Sequence, residues 1–226
     1  MIDMFENMLD QEQRQLFAGL NTPARIQAFL DQTPYSPEDA NRCPLSVLRD
    51  GVAHCLDGAL FAAAALRRLG YPPLIVDLLP EPGTDDDHVL AIYKRDGHLG
   101  ALAKSNFVGL RFREPIYRNL RELALSYFEL YFNVHGQKTL RSYTRPLNLT
   151  SLDKQGWMWS DAGADAVEKR LAHLRRVPVL TEVMAEHLSP VDELSYQAGM
   201  LGVNEAGLYR PTKQLQRSSS SSQSSS

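Results

Sequence analysis

The run CLDGALFAAAALRRLGYPPLIVDLL, residues 55–79, constrains this chain more than any other part of it. Alanine and leucine dominate its first fifteen positions and give them the strongest helix propensity in the sequence. Gly70 closes the helix as a C-cap, and Pro72 and Pro73 prevent its continuation. The period then changes. Residues 74–79 (LIVDLL) and 88–95 (HVLAIYKR) have strand character, and Asp96-Gly97 predicts a two-residue hairpin turn into HLGALAKS. One helix followed by three strands points to an α+β fold, a central helix carrying Cys55 packed on a small antiparallel sheet with further helices wrapped around it.

The flanks are read more coarsely. Residues 10–30 predict two helices, with Asn21 and Thr22 as cap candidates before Pro23. Residues 43–50 predict one short helical run ending at Gly51, and 115–132 a helix opened by Pro115 that covers one face of the sheet. From 136 to about 158 the pattern is irregular, and helices are expected over 164–176, 178–187 and 190–200. The expected organisation is a single domain over 1–217 whose segment 146–215 is a helical extension. The Ser/Gln tail, 218–226, has too little apolar content to order itself.

At 226 residues and 43% hydrophobic, the chain can bury one substantial core. A net charge of −3 with scattered basic residues argues against nucleic acid or an anionic membrane as partner. No apolar run approaches the roughly 18 residues of a membrane span, and the acidic, amphipathic start is unlike a secretory signal, so a cytoplasmic location is expected. Cys43 and Cys55, the only cysteines, are expected to be thiols there. No cofactor motif is present, and oligomeric state is not readable.

A cysteine at a helix start is chemically distinctive, because free amides and the positive end of the dipole favour the nucleophilic thiolate. Cys55 holds such a position; the alternative is a buried structural thiol. A cysteine nucleophile needs an imidazole, and the imidazole needs a third group to fix its tautomer. His88 opens the second strand, and counting across the hairpin sets it opposite Ser105 and Asn106. Asn106 is the candidate orienter, against the plain reading of a loop asparagine.

The segment GVAHCLDGALFAAAALRRLGYPPLIVDL resembles the nucleophile helix and following strand of the transglutaminase-like superfamily. The resemblance covers about residues 45–106. It implies a papain-like core, Cys55 as nucleophile with acidic neighbour Asp57, His88 in DDDHVLAIY as the histidine, and Asn106 where that family carries an aspartate. Val89-Leu90 stands where the family has an aromatic. Asparagine serves in papain-like enzymes because orienting an imidazole needs no charge.

Other residues have two readings. His54 either tunes Cys55 or is merely accommodated beside it, and Asp57 either serves the chemistry or caps the first helical turn. The Asp85-Asp86-Asp87 run reads as a cation loop or a solvated acidic loop. A zinc site from Cys43, Cys55, His54 and His88 lacks the usual ligand spacing. Trp157 and Trp159 line a groove or finish the core, with core the default.

The expected activity is acyl transfer or hydrolysis at a peptide, glutamine-containing or other amide substrate through a thioacyl intermediate, with water or an amine as acceptor. Two alternatives are a catalytically silent binding module of the same fold and a metal-binding protein using the 85–88 stretch.

Overall fold

The structure is a computed structural model that describes residues 1–210; the Ser/Gln tail expected at 218–226 lies outside the described residues. Three amphipathic helices come first: α1 (Ile2–Met8), α2 (Gln11–Gly19) and α3 (Pro23–Gln32). Asp10 closes a capping box on α2, and Thr22 accepts the Arg25 amide while Pro23 takes the first position of α3. The short α4 (Pro44–Asp50) ends at Gly51, whose φ of 67° only glycine adopts without strain. The central α5 (Cys55–Arg68) follows, and twelve of its fourteen residues are buried, so its packing outweighs that of any flanking helix.

Beyond the turn at Gly70 the sheet begins. Strands β1 (Leu74–Pro80), β2 (His88–Arg95) and β3 (His98–Leu102) form a meander. The β2–β3 register runs from Arg95↔His98 to Ala91↔Leu102, as the hairpin count predicts, and Asp96 and Gly97 both take positive φ in the turn. Then come β4 (Arg113–Tyr117), α6 (Leu120–Leu125), β5 (Leu140–Thr144), β6 (Leu147–Asn148), α7 (Asp161–Ala172), β7 (Arg176–Pro178), α8 (Glu182–Glu186) and α9 (Glu193–Gly199). The result is mixed α+β: one seven-stranded antiparallel sheet in the order β4-β3-β2-β1-β5-β7, with β6 also paired to β1.

Strand alternation sorts the core into two layers. Ile75, Val89, Ala91 and Tyr93 face α5 and pack with Leu60 and Phe61. Val76, Leu78, Leu90 and Ile92 face the other way, onto Leu123, Tyr127 and Tyr131. Trp157 and Met158 are fully buried in the α5 layer, in keeping with the core reading, and Trp157 donates its indole N–H to Asp153 at 3.1 Å.

The expected helix over 115–132 is shorter than its pattern suggests. Residues 113–117 form the edge strand β4, where the missing N–H of Pro115 costs nothing. The helix begins only after Asn119, whose side chain accepts the Glu122 amide at 3.0 Å. The stretch read as irregular contributes β5 and β6, both paired to β1. The segment read as a helical extension supplies β6 and β7 to the same sheet.

Helix α5 approaches the chain just past β3 so closely that a Cβ on Gly58 would stand 2.2 Å from Lys104 Cβ. Lys104 cannot retreat freely, because its ammonium is held by the carbonyls of Leu30 and Thr33. Gly58→Ala is expected to destabilise the protein by ~1–3 kcal/mol, even though alanine is favoured over glycine in a helix by about 1 kcal/mol. A lower urea midpoint at unchanged m-value checks this.

Candidate active site

Cys55 is the first residue of α5, and the residues around it fix that helix end. His54 is the N-cap: its Nδ1 accepts the Leu56 N–H at 3.2 Å. Asp57 completes the box by accepting the His54 N–H at 3.0 Å, and it also accepts the Arg42 N–H at 2.6 Å. With Nδ1 accepting, Nε2 of His54 carries the proton and lies 3.3 Å from Asp57 Oδ1. Burial and then Arg42 push His54 down to about 4, so the ring is neutral at pH 7 and this contact is no ion pair. Asp57 is completely buried, which pushes it up to about 7 against the two amides that stabilise its charge. Both residues thus act structurally on the helix that presents Cys55. The amide of Cys55 itself has no acceptor among the described residues.

Cys55 lines a cleft of about 590 Å³ whose walls include Tyr35, His54, Asp77, Asp86 and Asp87. Its Sγ lies 3.8 Å from the Asp87 carbonyl, a contact in which the thiol donates. Burial, then Asp87 and Asp86, push the thiol well above its usual pKa; the Val89 N–H acts the other way. Burial, helped by the acidic wall, therefore outweighs the helix terminus, and Cys55 rests as a thiol. Asp77, 3% exposed, turns into the same cleft and leaves Oδ1 without a hydrogen-bond partner. Burial and Asp87 raise its carboxyl, opposed by Arg176.

His88 pairs with Leu78 at the start of β2, and alternation places its ring on the sheet face opposite α5. Its Nε2 lies 2.7 Å from the Leu110 carbonyl. A carbonyl only accepts, so Nε2 carries the proton and Nδ1 holds the lone pair. Burial pushes the ring down to about 4, and it is neutral at pH 7. His88 lines a smaller cavity of about 40 Å³ together with Asn106, and this adjoins the Cys55 cleft across shared walls that include Asp86, Asp87, Gly207 and Tyr209.

The β2–β3 ladder stops at Leu102, four residues short of Asn106. The Asn106 amide is spent on the C-terminal segment: Oδ1 accepts the Asn204 N–H at 2.8 Å, and Nδ2 donates to the carbonyls of Asn204 and Gly207. The structure thus brings His88 and Asn106 to one cavity and Cys55 to the next. Among the described residues, no hydrogen bond joins Cys55 to His88 or His88 to Asn106.

Sequence reasoning passed over Asp77, Tyr35, the Leu110 carbonyl and residues 204–210. Asp77 carried a usable signal, as the lone charge inside an otherwise apolar strand; the Leu110 carbonyl carried none, being main chain. Asn41, which lines the Cys55 cleft, donates its side-chain amide to Asp165 and Glu168. The acidic run is not simply solvated, since Asp85 accepts from Thr139 and Asp86 and Asp87 wall the cleft. Among the described residues, no three His, Cys, Asp or Glu side chains are placed to hold a metal ion, and no helix is long and apolar enough to cross a membrane.

Two outcomes follow from these charges. Asp87→Asn removes the charge that acts most strongly on the thiol and should speed alkylation of Cys55 by iodoacetamide at pH 8; an unchanged rate would show that Asp87 does not govern the thiol. His88 has a folded pKa of about 4, below the ordinary 6.5, so its neutral burial supports the fold above pH 6.5 and that support drains away as pH falls toward 4. The drop in urea midpoint between pH 7 and 4.5 should therefore be smaller in His88→Asn than in the parent.

No protein-family model matches the chain, and no curated protein matches it. Among solved structures, Legionella pneumophila LapG is similar at 13% identity and a TM-score of 0.42, over 75% of this chain and 97% of that one. EGTA-treated LapG from the same organism is similar at 14% identity and a TM-score of 0.40, with the same coverage. Likeness of this degree transfers no residue roles, and the site rests on its own atoms.

Proposed function

We propose that this chain is a cysteine-dependent enzyme of papain-like or transglutaminase-like type, acting on amide bonds with Cys55 as nucleophile. The observation that carries the reading is Cys55 at the first position of a long buried helix, opening on a cleft with its own backbone amide unengaged. That amide is the natural donor to an oxyanion forming above Sγ. His88 supports the reading by its tautomer: the Leu110 carbonyl holds Nε2–H and leaves the Nδ1 lone pair, the state a general base requires. The third member of the series is then a backbone carbonyl, with Asn106 beside it in the same cavity.

In the reaction proposed, His88 Nδ1 takes up the Sγ proton at the start of β2, beside the walls the two cavities share. Sγ bonds to the amide carbon, the C–N bond breaks, and the amine leaves with the proton from His88. Water then releases the acyl group in a hydrolase, or an amine takes it in a transferase.

A second reading, a binding module of the same fold, draws support from the resting thiol and from the absence of a Cys55–His88 hydrogen bond among the described residues. The third, metal binding through residues 85–88, has no converging ligand set behind it, since Asp85 and His88 are turned to Thr139 and Leu110.

A pooled peptide library with glutamine-containing members, incubated with the protein and methylamine and read by mass spectrometry, separates these readings. Hydrolysis appears as cleaved or deamidated peptide, and transfer as the methylamide. Cys55→Ala is expected to lose at least about a thousandfold in rate, and His88→Ala a large part of that. Turnover that survives Cys55→Ala would sink the nucleophile assignment; peptide capture without turnover would favour the binding module.

A further inference from the structure

Residues 206–210 line the Cys55 cleft, and the main chain at Asn204 and Gly207 is hydrogen-bonded there as the backbone of a bound peptide would be. The Asn106 side chain reads their main chain in both directions, accepting from Asn204 N–H at 2.8 Å and donating to Asn204 O at 2.9 Å and Gly207 O at 3.3 Å. Asn204 donates its own side-chain N–H to the Tyr35 carbonyl at 3.1 Å. These partners lie about a hundred residues or more away in sequence, so local chain geometry does not impose them.

The segment itself is one 3-10 turn, Glu205–Gly207, capped by the Asn204 side chain, which accepts the Ala206 N–H at 3.2 Å. Gly207 packs closely against the Tyr35 ring: a Cβ there would stand 2.9 Å from two ring carbons. Tyr35 in turn lines the same cleft as Cys55. Gly207 and Tyr209 line both the Cys55 cleft and the His88 cavity, and so stand at the boundary between them.

We propose that Tyr35 and Asn106 form a peptide-binding subsite beside Cys55, and that the chain's own residues 204–210 occupy it as an internal ligand. The ligand class is a peptide turn of the pattern Asn-x-x-Gly, held by its backbone on Asn106 and requiring glycine over Tyr35. The proposal rests on the reading of the Cys55 cleft as a peptide-processing site and adds to it a specificity-determining residue, Asn106, and a self-occupied state. In that state Gly207 and Tyr209 of this strap stand with Asp86 and Asp87 between the thiol and the imidazole cavity, adding to the separation that strand alternation gives His88. A substrate turn must displace the strap before the two cavities communicate, and it gains the same hydrogen bonds in doing so. The strap therefore sets a threshold of affinity that weakly fitting peptides do not pass.

The test measures access to Cys55 and needs no turnover, so it remains readable even if the chain proves not to be an enzyme. Full-length Asn106→Ala and Gly207→Val variants are alkylated with iodoacetamide at pH 8.5, and both cysteines are followed by mass spectrometry. Cys43, fully buried and bonded to Ser46, reports on the integrity of the fold. Expected is alkylation of Cys55 faster by roughly tenfold or more in both variants with Cys43 unchanged. The synthetic peptide NEAGLYR should slow Cys55 again in Gly207→Val but not in the Gly207→Val/Asn106→Ala double variant, and a scrambled peptide should do nothing in either. An unchanged Cys55 rate in both variants overturns the proposal. So does a rise in Cys43 in step with Cys55, or protection by the scrambled peptide.

Discussion

The buried carboxyl of Asp57 ties together the parts on which this site depends. It accepts main-chain N–H groups from Arg42 and His54, so the loop leading into α4 and the first turn of α5 are held by one side chain with no exposure to water. An unmet donor in such a place costs about 1–3 kcal/mol, and two donors meet here. Removing the carboxyl would strand both and free the end of the helix that presents Cys55. The position of the thiol is thus set less by the propensity of the alanine-rich helix than by the polar knot at its beginning.

Around that fixed thiol the charges are arranged against ionisation. A helix N-terminus contributes typically 0.3–1 kcal/mol toward an anion, up to ~2 kcal/mol when partly buried. Desolvation and the carboxylates of Asp86, Asp87 and Asp77 act in the opposite sense and prevail. A helix-start cysteine is therefore not by itself an activated one; what stands on the facing wall decides. Here that wall belongs to the loop before β2 and to the middle of β1, far from Cys55 in sequence.

Much of the fold was legible because it is locally coded. The α5 helix, its stop at Gly70, the hairpin at Asp96-Gly97 and the capping at Thr22-Pro23 all follow from neighbours within a few residues. The errors fall where tertiary pairing overrides local pattern: Pro115 reads as a helix start yet sits on a sheet edge, β5 and β6 are short strands visible only once β1 is available to pair with, and β7 only once β5 is. At the site, Cys55 and His88 were identifiable as residue types at element starts, whereas the direction of the His88 ring follows from alternation along a whole strand. Asn106 was placed by counting from the turn, but the ladder ends at Leu102, and the side chain answers to Asn204 and Gly207, about a hundred residues away.

The tether on His88 has a consequence of its own. An imidazole oriented by an asparagine or aspartate can lose its orienting partner through a single substitution. Here the partner is the main-chain oxygen at position 110, which every amino acid supplies. Changing that residue alters packing in the second core layer but leaves the acceptor present, so the tautomer of His88 is encoded in the course of the backbone and not in any one side chain.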